Sequence, residues 1–188
     1  AHKSSARDLA ILARAIIHDS ADYYPIYAER EFKYNGIKQG NRNALLYTDP
    51  TVDGLKTGHT QEAGYCLVTS SKRNDMRLIT VILNTNSMQA RADQTRALLN
   101  WGFSRFEKAV PIQPNAQVAV AKVIFGKADT VPAVLGAPWT ITVPKGQKLE
   151  TAAQINPDLE APIAKGAVIG KVVATSGGKP AAEAPLVA

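Results

Sequence analysis

Nine of the eleven prolines lie from Pro111 onward, and no other feature constrains the fold as much. Proline lacks a backbone donor and collides with the preceding helical turn, so it is confined to helix starts, turns and strand edges. No convincing helical period survives beyond Lys108. Short β-type runs alternate there with turn signals, at 117–125, 139–143 and 167–175. Gly177-Gly178 sets up a last hairpin with 181–187. Short strands at this spacing predict a small antiparallel sandwich or barrel. A domain boundary is expected at about 107–110, separating residues 1–107 from 108–188.

The first part reads differently. Ser5 can cap a helix, with Asp8 three residues on in capping-box position. Leu9, Leu12, Ala13, Ile16 and Ile17 follow at helical spacing. Pro25 disfavours helix for the residue before it and ends that element. Residues 26–47 read as short strands and turns, with Asn35-Gly36 favouring a tight hairpin. Two apolar runs at 65–71 and 76–83, separated by the polar stretch 72–75, predict a second hairpin. Ser87 can cap a helix reaching about Phe103, with Ala97, Leu98 and Trp101 as the expected buried face.

Composition narrows the function classes. The net charge of +6 is spread evenly, +3 over 1–107 (14 basic, 11 acidic) and +3 over 108–188 (8 basic, 5 acidic). No Lys/Arg block marks a nucleic-acid groove, so no nucleic-acid partner is expected. A mild positive field favours an acidic partner. No apolar run approaches the roughly 20 residues of a membrane span. No signal peptide is visible, and a first residue of Ala1 fits a mature or truncated product. The lone Cys66 cannot form an internal disulfide and reads as a small core residue. His2, His18 and His59 are too far apart to suggest a metal site, so neither metal nor cofactor is expected.

The chemistry is concentrated at Val52-Asp53-Gly54-Leu55-Lys56-Thr57-Gly58-His59-Thr60. Lys56 offers a fixed cation with three donors, able to hold a carboxylate or polarise a hydroxyl. The Thr57 hydroxyl can join the same carboxylate. Gly58 lets another backbone approach the strand closely. An extended peptide could then add to this edge as an extra strand. The His59 backbone N–H could serve an oxyanion, a role worth ~3 kcal/mol in a transition state. A phosphate loop is excluded, because Leu55 stands where its glycine must precede the lysine.

Ser4 through Ala10, Asn41-Arg42-Asn43, Val52 through Thr60 and Ala63-Gly64-Tyr65 occur in the order found in serine-type D-alanyl-D-alanine carboxypeptidases. The chain resembles the low-molecular-mass penicillin-binding proteins of the type five and six group. The likeness continues through Leu98-Leu99 and Trp101-Gly102 to Glu160-Ala161-Pro162-Ile163 and Pro185-Leu186-Val187. It implies an α/β (α+β) fold, a partial penicillin-binding/β-lactamase-like catalytic domain followed by a small all-β sandwich domain. It implies that Lys56, Thr57 and Gly58 line the cleft, that Arg42 adds a cation near the substrate carboxylate, and that the His59 N–H is an oxyanion donor.

The family's other two motifs, S-x-x-K with the nucleophile and Ser-x-Asn, do not precede Lys56-Thr57-Gly58 in this sequence. The one literal match, Ser176-Gly177-Gly178-Lys179, falls in a glycine turn, where a nucleophile would lack a rigid support. The resemblance therefore implies the C-terminal part of a penicillin-binding enzyme, inactive by itself. That enzyme would remove the terminal D-alanine of peptidoglycan stem pentapeptides. Its expected partners are β-lactams as covalent inhibitors, the N-terminal part of the catalytic domain, and a membrane surface reached through an anchor not seen here. The expected location is the periplasm, peripheral to the inner membrane of a Gram-negative bacterium. A β-lactamase or transpeptidase of the same fold, or a non-catalytic peptidoglycan-binding scaffold, remains an open alternative.

Overall fold

The computed structural model describes residues 3–114 and 116–188; His2, set aside above as a metal ligand, lies outside them. Two compact units divide the chain, one ending at Arg105 and the other running Phe106–Ala188.

The first unit begins with α1 (Ala6–Asp19), capped as its sequence predicts: the Ser5 hydroxyl accepts the Asp8 N–H at 3.1 Å. A 3-10 turn, Tyr24–Ala28, carries Pro25 in its first positions and leads into a hairpin of β1 (Glu31–Tyr34) and β2 (Ile37–Gly40). Asn35 and Gly36 both take positive φ, 49° and 78°, the geometry a two-residue hairpin turn needs. A single helical turn, α2 (Leu45–Thr48), precedes β3 (Val52–Thr60) and was not expected from sequence. β4 (Gly64–Arg73) and β5 (Met76–Thr85) complete an antiparallel sheet in the order β3-β4-β5. Their connecting turn is only Asn74-Asp75, with φ of 48° and 61°, so Lys72 and Arg73 belong to the strand rather than to the expected loop.

Successive strand residues face opposite sides, and each side of this sheet carries a helix. Leu67 and Leu78 pack with Val52, Leu45 and Leu46 against Ala92 and Leu99 of α3 (Met88–Arg105). Val68 and Ile79, one residue on, pack with Leu55 and Tyr24 against Ala13, Ile16 and Ile17 of α1. Two expectations need correcting. Leu12 is 56% exposed, although its spacing groups it with the core face of α1. The buried face of α3 is Arg91, Ala92, Thr95, Leu99 and Gly102, whereas Ala97, Leu98 and Trp101 are exposed. A Cβ at Gly102 would stand 2.7 Å from Leu78 Cδ1, so α3 approaches the sheet closely there.

The second unit has no helix among its described residues. β6 (Phe106–Ala109) pairs with β9 (Ile141–Pro144) as a two-stranded ribbon. β7 (Gln117–Ile124), β8 (Thr130–Leu135), β10 (Leu149–Ile155), β11 (Leu159–Glu160), β12 (Val168–Ser176) and β13 (Lys179–Val187) form a six-stranded sheet, ordered β10-β12-β13-β8-β7-β11. Ile141 and Val143 of the ribbon share one core with Ala121, Ala133, Val172, Ala174 and Leu186 of the sheet, which makes two layers. The Gly177-Gly178 turn joins β12 to β13, both residues at positive φ. Ser176 lies at that turn and donates its hydroxyl to Gln147 Oε1 at 2.7 Å, so the literal S-x-x-K match is part of a hairpin end.

Candidate active site

β3 is an edge strand of its sheet, paired with β4 through Lys56↔Val68, Thr57↔Leu67, Gly58↔Cys66 and His59↔Tyr65. Its entry is held from two directions. Arg77 on β5 donates to the Asp53 carboxylate at 2.7 Å and to the Ser70 hydroxyl at 2.5 Å, and the Tyr24 hydroxyl donates to Asp53 at 2.9 Å. Burial pushes Tyr24 up to about 12; a hydrogen bond to Ser70 opposes that shift and the Asp53 charge adds to it. Below, Asp49 accepts the Thr51 N–H at 2.9 Å and the Arg73 guanidinium at 2.9 Å. Burial works against the Asp49 charge, but the bonds from Thr51 and Arg73 outweigh it and hold the carboxyl below its ordinary value.

The Asn41-Arg42-Asn43 turn is fixed just as firmly. Asn43 is 1% exposed; its amide donates to the Gly54 carbonyl at 3.1 Å, and its oxygen accepts the Leu45 N–H at 3.2 Å. Asn41 donates to the Glu29 carbonyl at 2.9 Å and accepts the Asn43 N–H at 2.9 Å. Arg42, between the two asparagines, points its exposed side chain into a cleft of about 710 Å³.

That cleft gathers Arg42, Lys56, Thr57, Gly58 and His59, the five residues singled out from sequence, together with Gln39, Tyr65, Met88 and Arg91. Three of the nine are cations and none is a carboxylate. Such a lining attracts anionic groups and offers them donors on several sides. The Lys56 ammonium is exposed and donates to the Thr57 carbonyl. The His59 ring packs on Tyr65 with centroids 3.9 Å apart. On its other side the K-T-G strand borders a second, apolar cavity of about 290 Å³, lined by Leu9, Leu12, Ala13 and Ile16 of α1 with Cys66, Val68 and Leu83. Cys66 is only half-buried there, its thiol donating to the Ala63 carbonyl at 3.2 Å, so it is not the enclosed core residue expected.

Sequence reasoning missed Arg91. It is 5% exposed on α3 and donates to the Arg42 carbonyl at 3.0 Å and the Cys66 carbonyl at 3.4 Å. Its guanidinium lies 5.8 Å from the Tyr65 ring centroid. Burial lowers its pKa from the ordinary arginine value. An arginine within a polar helical stretch carries no local sign of burial; only the tertiary fold reveals it.

Both units have known relatives. Residues 1–87 match the family model described as D-alanyl-D-alanine carboxypeptidase, and residues 106–188 match penicillin-binding protein 5, C-terminal domain. D-alanyl-D-alanine carboxypeptidase DacC of Escherichia coli K12 is 41% identical over 188 residues, covering 98% of this chain and 47% of the relative. The crystal structure of penicillin binding protein 5 from Haemophilus influenzae superposes with a TM-score of 0.82 at 40% identity, over 98% of this chain and 55% of that one. Penicillin-binding protein D2 from Listeria monocytogenes, in a cefotaxime-bound form, matches 53% of this chain and 41% of its own at 31% identity and a TM-score of 0.50. The chain spans about half the length of the curated relatives it matches. With both family models matched in order, it belongs to the D-alanyl-D-alanine carboxypeptidase family of penicillin-binding proteins.

Proposed function

We propose that this chain supplies one wall of the active site of a serine-type D-Ala-D-Ala carboxypeptidase, and that the nucleophilic serine belongs to protein upstream of it. One observation carries the reading: a cleft with three cations and no carboxylate lies against a glycine-relieved edge strand. Lys56, Thr57 and Arg42 hold the terminal carboxylate of a stem pentapeptide. Gly58 gives the peptide backbone room to lie along β3. The His59 N–H supports the oxyanion as the serine attacks the penultimate carbonyl. D-alanine leaves, and water then releases the acyl-enzyme. A β-lactam enters the same cleft through its own carboxylate and stalls at the acyl stage.

The apolar cavity on the other side of the K-T-G strand, with exposed Ile11 and Leu12 beside it on α1, receives the upstream part of the catalytic domain. The assigned location is the periplasm, peripheral to the inner membrane of a Gram-negative bacterium, where peptidoglycan is the substrate. No described helix is long and apolar enough to cross a membrane; attachment to that surface through a separate anchor is part of this proposal. Residues 106–188 form the β domain that accompanies the catalytic part.

Fluorescent penicillin tests the assignment. The complete protein becomes labelled, the 188-residue chain alone does not, and Lys56→Ala in the complete protein labels at least tenfold more slowly. Equal labelling of that variant removes Lys56 from the mechanism. Release of bound penicilloyl within seconds, instead of many minutes, reassigns the protein as a β-lactamase.

A further inference from the structure

We propose that Arg91 is a positioning residue that sets where Arg42 stands relative to the K-T-G strand; this rests on the carboxylate-binding role given to Arg42 above. The guanidinium is a fork between two elements that share no strand pairing. One arm holds the carbonyl of Arg42 itself at 3.0 Å, and the other reaches the Cys66 carbonyl on β4, opposite Gly58. Its Cζ also lies over the Tyr65 ring, 5.8 Å from the centroid, and that ring packs against His59. A single side chain thus fixes the Arg42 turn, the strand beside Gly58 and the floor under His59.

The chemistry suits arginine better than lysine. Two carbonyls on separate elements need a rigid planar donor with arms in fixed directions, which a lysine ammonium lacks. Among the described residues no carboxylate pairs with Arg91, so its charge is balanced by carbonyl dipoles and an aromatic face alone. A buried arginine serving only packing gains more from a carboxylate partner. Leaving it unpaired keeps acidic groups out of the cleft while the turn is held in place.

The test is a double-mutant cycle on the complete protein, read as the second-order rate of labelling by fluorescent penicillin, with thermal melting to check the fold. Arg91→Met slows labelling on the order of tenfold to a hundredfold, as expected for a displaced binding group. Arg91→Lys keeps the charge and remains slow. Arg42→Ala is slow as well, and Arg42→Ala/Arg91→Met is no slower than Arg42→Ala alone. Multiplicative losses, full rescue by Arg91→Lys, or unchanged labelling of Arg91→Met each overturn the proposal. So does a slow Arg91→Met beside an unimpaired Arg42→Ala. If Arg91→Met lowers the melting temperature sharply, the Arg91→Lys arm decides. An unlabelled wild type is a different result: it refutes the penicillin-binding reading itself.

Discussion

Replacing Asp49 with asparagine should weaken the sheet in a way that depends on pH. Asp49 and Arg73 are 15% and 28% exposed, so their bond is neither a solvated surface pair nor a fully enclosed one. Surface pairs contribute about 0–1 kcal/mol and hydrogen bonds to charged groups about 1.5–3 kcal/mol. Asparagine keeps the contacts to Thr51 but loses the charge, and Arg73 retains Asn100 at 3.0 Å and the Phe103 ring at 4.5 Å. The expected loss is therefore about 2 kcal/mol, or a roughly 30-fold larger opening equilibrium. Hydrogen exchange of the β3 and β4 amides reads that opening directly. The native Asp49 carboxyl sits below its ordinary 3.8, so its contribution is complete above that pH and disappears as pH falls through the lower native value. Wild type and variant should thus differ by a constant factor from neutrality to about pH 4 and converge in stronger acid. A difference under threefold at neutral pH, or one that persists once the carboxylate is protonated, refutes the reasoning.

Two further substitutions examine separate parts of the structure. Gly170→Ala would press a Cβ onto the Gln154 carbonyl oxygen, with Ile155 Cα at 2.9 Å, where the β12–β13 register slips. Because backbone cannot yield as a side chain can, denaturant unfolding should show a loss of about 3 kcal/mol; wild-type stability would mean that the register slip relaxes freely. Ultraviolet titration of the six tyrosines should show one ionising near 12, absent in Tyr24→Phe. That raised value means Tyr24 contributes stability in full below pH 10.0, lost as pH rises toward about 12. Identical alkaline unfolding of wild type and Tyr24→Phe would contradict it.

Features governed by local backbone chemistry were legible in the sequence. Ser5 and Ser87 cap their helices, the latter accepting the Ala90 N–H at 3.0 Å. Asn35-Gly36 and Gly177-Gly178 make the turns their left-handed tolerance suggests. Features settled by tertiary contact were not. α3 buries Arg91 and Thr95, leaving Leu98 and Trp101 outside, so a search for apolar period selects the wrong face. β8 carries Pro132 within it, and β10 is almost wholly exposed, so neither shows the alternation that marks a strand. For the site, the motif residues were visible because their chemistry is local. Their convergence with Arg42, and the brace behind it, required the fold.

The unopposed charge in the cleft has a practical consequence. By the proposed reading, three lining cations without a lining acid should draw in small anions, so phosphate, sulfate or citrate in a buffer is expected to compete for the cleft. Labelling rates measured in such media should then fall below those in chloride, by a margin that grows with anion valence.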